Sequence, residues 1–405
     1  MTASLTESEL ALERGARLTR TAAYYLAFII LGMGAAIVGP TVDSLAAQVS
    51  VSIATISSLF AARSVTYLLG SLLSGKLFDR VPTHRLMAGV LLLMAVMLFV
   101  TPLTPWFGVL ILVFAALGWA EATLDLGGNL SLLWVHGHDA GPYLNGLHFF
   151  FGLGAFLAPL FVAWSLRQFE GITWAYWLMA LLAAPPAIWL LRQSSPRLSN
   201  VEASASAGGV SQAGFVALIA LFYFLYVGAE VSFGGWIYLF AVKQPGLSQV
   251  GQMAELAAYL TSAFWGAFTF GRLLSIPLAA RWRARTLLLV DMFGALGSVG
   301  LILLFPNSWV AIWVGAIGLG LSLASIFPTV MAFAERRMVI NGAVARWFFV
   351  GAGLGGTVLP WLIGRMIEPR GPMVIMFAIF IDLCLVLAVF LLMMARAPQS
   401  LRGAD

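Results

Sequence analysis

Twelve apolar runs of membrane-spanning length follow one another along this chain, near 22–45, 53–76, 86–103, 106–134, 143–166, 172–191, 213–242, 252–279, 286–305, 308–333, 344–366 and 372–395. About 20 helical residues rise roughly 30 Å, the depth of the hydrocarbon core of a bilayer. In hydrocarbon every backbone polar group must be satisfied within the chain, so such runs fold as helices. The sequence therefore predicts an all-α polytopic membrane protein of 12 transmembrane helices. Composition agrees, with 61% hydrophobic and only 10% charged residues, too little charge to cover a solvated surface. Glu121, Asp125, Glu230, Asp291 and Asp382 lie inside the apolar runs. An ionisable side chain there normally faces a bundle interior or a wet cavity and marks a route for ions or solutes.

The net charge of +5 is no nucleic-acid signal, because its placement follows the loops. Arginine and lysine gather before the first run (Arg14, Arg17, Arg20) and after the second (Lys76, Arg80, Arg85). They recur after the sixth (Arg192, Arg197), the eighth (Arg281, Arg283, Arg285), the tenth (Arg336, Arg337, Arg346) and the twelfth (Arg396, Arg402). The alternate loops carry only Arg167, Lys243, Arg365 and Arg370. The positive-inside rule then places both termini in the cytoplasm and the protein in the cell membrane, the inner membrane, as a multi-pass chain. Residues 1–20 lack the apolar core of a cleavable signal and read as a cytoplasmic segment. One cysteine, Cys384, excludes an intramolecular disulfide, and four histidines show no zinc-like spacing.

The Ser-, Ala- and Gly-rich stretch 193–212 has linker composition and divides the chain evenly. It predicts bundles over 21–192 and 213–396 and a cytoplasmic tail over 397–405. The halves repeat. GSLLSGKLFDRVPTHRL from Gly70 matches GRLLSIPLAARWRARTL from Gly271, and GLGAFLAP from Gly152 matches GLGGTVLP from Gly353, both 201 residues apart. Two six-helix bundles of this kind place a solute site at the midplane between the halves. At the same offset Glu121, Asp125, Asn129 and Asp79 correspond to Ser322, Ile326, Val330 and Ala280. The polar chemistry belongs to the N-terminal half.

Glu121, Asp125 and Asn129 are spaced i, i+4, i+8 in GWAEATLDLGGNLSLLW and share one helical face. Two carboxylates a turn apart cannot both ionise freely. Either one holds a proton or a cation sits between them. Oxygen donors at Asp125 and Asn129 suit a sodium ion, with Gly127 and Gly128 freeing nearby carbonyls. The alternative is a structural ion pair with Arg63. Asn145 and His148 share a face of the fifth run, with His148 within reach of Asp125 or a solute. In the seventh run Gly228, Gly234 and Gly235 flank Glu230 and are expected to break the helix. Glu230 then accepts hydrogen bonds from solute hydroxyls while Trp236 stacks on an apolar sugar face. Arg272 and Asp291, near the ends of neighbouring runs, are expected to pair for structure or gating, and Asp43 to cap a helix.

With these residues in place, the chain resembles the major facilitator superfamily. Gly75–Lys76–Leu77–Phe78–Asp79–Arg80 with His84 and Arg85 is similar to its signature between the second and third helices, Pro82 departing from the pattern. GPTVDSL from Gly39, LDLGGN from Leu124, LHFFFGLGAFLAP from Leu147 and LYVGAEVSFGGWI from Leu225 resemble the sodium-dependent glucose transporter branch and, more distantly, the fucose permeases. The resemblance implies cation-coupled symport of a monosaccharide by alternating access. Glu121 matches the fourth-helix carboxylate that serves proton coupling and sugar binding in the fucose permeases. Their first-helix acid has no match, since Gly39 stands there.

The expected substrate-binding set is Glu121, Asn129, Asn145, His148, Glu230 and Trp236. The coupling set is Glu121, Asp125 and Asn129, and the gating or structural set is Arg63, Asp79, Arg80, Arg272 and Asp291. The expected partners are a small solute and the lipid bilayer, with sodium or a proton as the coupling ion, no nucleic acid, and a monomeric state. No nucleotide-binding GxxxxGK[ST] occurs, so energy comes from a gradient rather than catalysis. The residues leave open a proton-driven exporter of drugs or amphipathic metabolites, and, less in keeping with the repeat, a membrane-embedded enzyme or a sensor.

Overall fold

The computed structural model describes residues 7–196, 213–247, 252–338, 340 and 342–396. The helices are α1 (Glu7–Ala36), α2 (Val38–Gln48), α3 (Ile53–Ile56), α4 (Ser58–Phe78), α5 (Thr83–Val100), α6 (Phe107–His136), α7 (Ala140–Phe169) and α8 (Thr173–Leu191) in the first half. In the second they are α9 (Ala213–Lys243), α10 (Met253–Arg281), α11 (Ala284–Leu304), α12 (Trp309–Leu323), α13 (Ile326–Glu335), α14 (Gly342–Arg370) and α15 (Met373–Arg396). They supply 12 candidate spans. Most of the expected linker and all of the expected tail lie outside the described residues.

Within each half the helices pack mainly on one another, and the two bundles meet along α7–α10 and α4–α14. An even number of spans puts the start of α1 and the end of α15 on one face, here the termini face. The opposite side is the far face.

The repeat explains the closest packing. An added Cβ at Gly154 of α7 would lie 2.0 Å from the Ile29 carbonyl oxygen of α1, and one at Gly355 of α14 would lie 1.8 Å from that of Phe224 in α9. These glycines occupy equivalent places, 201 residues apart. With apolar side chains at no advantage over lipid, helices adhere by close backbone approach, which glycine permits.

Helix breaks fall elsewhere than the glycines of the seventh span suggest. α9 runs unbroken through Gly228, Gly234 and Gly235. Gly234 instead makes room for Trp265, whose ring would lie 2.5 Å from an added Cβ. α6 likewise passes unbroken through Gly127 and Gly128, which accommodate Phe78 and Phe28. The interruptions are in the first span between α1 and α2, near Pro40, in the second between α3 and α4, and in the tenth between α12 and α13, near Pro328. Proline removes a backbone donor and clashes with the preceding turn, a stronger breaker than glycine held by packing.

The far face is closed across the halves. Lys243 Nζ lies 2.9 Å from Asp43 Oδ1. The Ile53 amide donates to Glu368 Oε1 at 2.8 Å. An added Cβ on Gly39 would meet the Gly234 carbonyl oxygen at 2.7 Å, so α2 and α9 touch backbone to backbone. Asp43 is therefore an inter-half ion-pair partner rather than the expected helix cap.

Candidate functional site

Two polar rungs join α4 to α6. Arg63 and Tyr67 are one turn apart on α4, and Glu121 and Asp125 one turn apart on α6. Arg63 donates from Nε to Glu121 Oε2 at 2.7 Å, its Nη2 lies 2.7 Å from the same oxygen, and Nη1 donates to the Ala35 carbonyl at 3.3 Å. Glu121 is 1% exposed, and its Oε1 has no partner. The Tyr67 hydroxyl donates to Asp125 Oδ2 at 2.5 Å. Asn129 Nδ2 donates to Asp125 Oδ1 at 3.0 Å and to the Asp125 carbonyl at 2.9 Å. The three residues of α6 thus share a face as the spacing predicts, but their partners differ. Glu121 is balanced by the half-buried Arg63. Asp125 is half-buried and held by neutral donors alone.

Tyr67 was not among the sequence candidates, although its i+4 spacing from Arg63 mirrors that of Asp125 from Glu121. In the second half, the positions 201 residues on from Arg63 and Tyr67 are Phe264 and Phe268. Aromatic packing there replaces the polar ladder.

Asn145 and His148 are exposed on α7. Phe28 meets the His148 ring edge-on with centroids 6.3 Å apart. The charges of Asp125 and Arg272 both act on His148, with opposite sign. Glu230 is half-buried on α9, next to the Tyr226 hydroxyl and under the charge of Arg272. The Arg272 guanidinium lies 4.5 Å from the centroid of the Phe268 ring, and its buried Nε has no acceptor.

Two expectations change. Arg272 does not pair with Asp291, which instead accepts a hydrogen bond from Ser325 at the break in the tenth span. Arg272 packs on Phe268 of its own helix, whereas Asp291 meets Ser325 between α12 and α13. Trp236 does not offer a free ring. It is fully buried, donates from Nε1 to the Pro360 carbonyl at 2.9 Å, and packs on Phe60 with centroids 5.2 Å apart. It belongs to the seam that closes the far face. Asp79 and Arg80, at the end of α4, are exposed and make no ion pair among the described residues.

The described residues contain no group of three or more His, Cys, Asp or Glu placed to hold a metal ion. At the centre the Asp125 carboxylate and the Tyr67 hydroxyl oxygen lie 2.5 Å apart, and the Asn129 amide turns its nitrogen toward Asp125.

A model of the Major Facilitator Superfamily matches residues 24–360. Sodium-dependent glucose transporter 1A of Mus musculus is 30% identical over 84% of this chain and 88% of that protein. Sodium-dependent glucose transporter 1 of Xenopus laevis is 33% identical over 82% of this chain and 73% of that protein. Among solved structures, the nucleoside transporter NupG superposes with a TM-score of 0.69 at 17% identity, covering 94% of this chain and 98% of that one. The xylose transporter XylE from E. coli, in an inward open conformation, superposes with a TM-score of 0.75 at 13% identity, covering 96% and 98%. The twelve spans, the repeated halves and the polar centre between them are those of a secondary transporter, and the chain belongs to the Major Facilitator Superfamily.

Proposed function

We propose that the protein carries out cation-coupled symport of a monosaccharide by alternating access, with sodium as the coupling ion and Asp125 as its carboxylate ligand. The observation that carries this reading is the division of labour on α6. Arg63 already balances Glu121, whereas Asp125 meets only the Tyr67 hydroxyl and the Asn129 amide. A half-buried carboxylate with neutral oxygen-bearing neighbours can gain and lose a cation without breaking a buried ion pair. A sodium ion would take the two Asp125 oxygens, the Tyr67 hydroxyl and, after a turn of its amide, the Asn129 oxygen.

The sugar would lie between Asp125, Asn145 and His148 on one side and Glu230 and Arg272 on the other. Carboxylates and amides there accept and donate to hydroxyls on both faces of a ring. The relatives named as sodium-dependent glucose transporters favour this pairing of ion and solute. The sealed far face and the exposure of Asn145 and His148 fit a chain caught open toward its termini, the cytoplasmic side by charge placement.

The test is electrical. Proteoliposomes on a solid-supported membrane should give charge displacement on a hexose jump in sodium buffer and little in choline buffer. Currents that ignore sodium and vanish with a protonophore would assign the coupling to protons, as in the D-xylose-proton symporter of the same fold.

A further inference from the structure

A cavity with three arginines in its wall lies outside the transport centre, on the termini face of the second half. It measures about 330 Å³ and is lined by Arg283, Arg285, Thr286, Phe333, Arg337 and Met394. Three elements meet there: the start of α11, the end of α13 and the end of α15. Arg337 is only 8% exposed; its guanidinium lies 3.8 Å from the centroid of the Phe333 ring and donates to the Phe333 carbonyl at 3.1 Å.

The start of α11 is arranged against its own dipole. No side chain caps it, and its first turn holds no acid. Arginine stands at the N-cap, Arg283, and again at Arg285, where the helix already carries partial positive charge. Orphan amides and two guanidinium groups at one helix end create a local positive potential that favours an anion. Below this turn the same face of α11 continues as Val290 and Phe293, which are 50% and 60% exposed, and Leu391 on α15 is 48% exposed one turn below Met394. A charged pocket thus sits on an apolar strip.

We infer that this cavity is a binding site for a phosphate group, held by Arg283, Arg285 and Arg337 at the start of α11. An anionic phospholipid would supply that group with its acyl chains along Val290, Phe293 and Leu391. A soluble phosphate would use the same arginines and leave the apolar strip to other lipids. Basic pockets between helices at a membrane surface take anionic headgroups by this electrostatic logic.

The experiment uses the purified full chain in detergent. Native mass spectrometry and thermal unfolding are followed with added dioleoylphosphatidylglycerol, with dioleoylphosphatidylcholine, and with inorganic phosphate alone. Phosphatidylglycerol should bind and raise the melting temperature, and phosphatidylcholine should not. In the double variant Arg283→Gln/Arg285→Gln the phosphatidylglycerol concentration for half-saturation should rise roughly tenfold or more. Arg192→Gln, on the same face of the other half, should leave it unchanged. Thr286→Glu adds the acid that a first helical turn favours, so the helix should form as well or better while the lipid is repelled. Variant-sensitive stabilisation by inorganic phosphate alone would keep the site and assign its source to solution. Retention of phosphatidylglycerol by Thr286→Glu, or equal losses in Arg192→Gln and the double variant, would overturn the assignment.

Discussion

Arg63 grips Glu121 through a single carboxylate oxygen: Nε and Nη2 both lie 2.7 Å from Oε2, and Oε1 meets no donor. Oε1 points into the space left by Gly34, where an added Cβ would lie 2.7 Å away. The pair crosses from α4 to α6 inside the N-terminal bundle and ties α1 in as well through the Ala35 carbonyl. It is a fixed element of the first half, beside the groups that can change partners.

Removing one member of this pair should damage the fold more than removing both. A lone buried charge costs about 3–5 kcal/mol, whereas a neutral pair of similar volume often costs little. Glu121→Gln and Arg63→Gln should each lower the melting temperature in detergent, and the double variant should recover much of the loss. A loss in the double variant equal to the sum of the two single losses would show that the two side chains act independently.

Asp125 should respond differently. Asp125→Asn keeps shape and removes charge, so the melting temperature should hardly move, gradient-driven accumulation should cease, and exchange counterflow should persist. Tyr67→Phe deletes one hydroxyl. A hydrogen bond to a charged group contributes about 1.5–3 kcal/mol, so the sodium concentration for half-maximal current should rise by roughly 10- to 100-fold. Unchanged sodium dependence in Tyr67→Phe would remove the hydroxyl from the ion site.

The spans and the two-bundle architecture were legible because hydropathy and the repeat act over long windows. The shared face of Glu121, Asp125 and Asn129 was legible because helical spacing alone decides it. What escaped was pairing between helices. Arg63 with Glu121 stood as one alternative, yet Tyr67 with Asp125 was missed, since a tyrosine in an apolar run reads as packing until its partner is known. Arg272 and Asp291 are near neighbours along the chain order, but their facing depends on helix rotation, which sequence spacing within one helix does not fix. Trp236 reads equally well as a stacking ring or a seam residue, and the carbonyl of Pro360, 124 residues away, decides between them. Gly228, Gly234 and Gly235 mark close packing instead of a break because Leu359, Trp265 and Phe60 fill the space beside the helix.

Arg272 should couple energetically to Glu230 and not to Asp291. Glu230 is half-buried under the charge of Arg272, so neutralising either should weaken hexose affinity in counterflow. The Arg272→Gln/Glu230→Gln double variant should lose less than the sum of the singles. The cycle with Asp291→Asn should be additive, because Asp291 is bonded to Ser325. Non-additivity in the Asp291 cycle alone would place Arg272 in the second bundle's interior rather than at the centre.

Asp43 and Lys243 should set how long the far face stays shut. Their side chains are 35% and 46% exposed, so the pair adds only about 0–1 kcal/mol to stability, and single variants should melt near the wild-type temperature. The effect should appear in conformation, because the pair spans α2 and α9 and exists only when the far face is closed. A shift of about 1 kcal/mol changes the ratio of two states roughly fivefold. Spin-label distances between the far ends of α2 and α9 should therefore show a larger open population in Asp43→Asn and in Lys243→Gln. The charge-swapped Asp43→Lys/Lys243→Asp protein should return toward the closed distribution, and high salt should mimic the single variants. Identical distance distributions in all four proteins would mean that the backbone contact of Gly39 with Gly234 and the Phe60–Trp236 stack close the face without help from the ion pair.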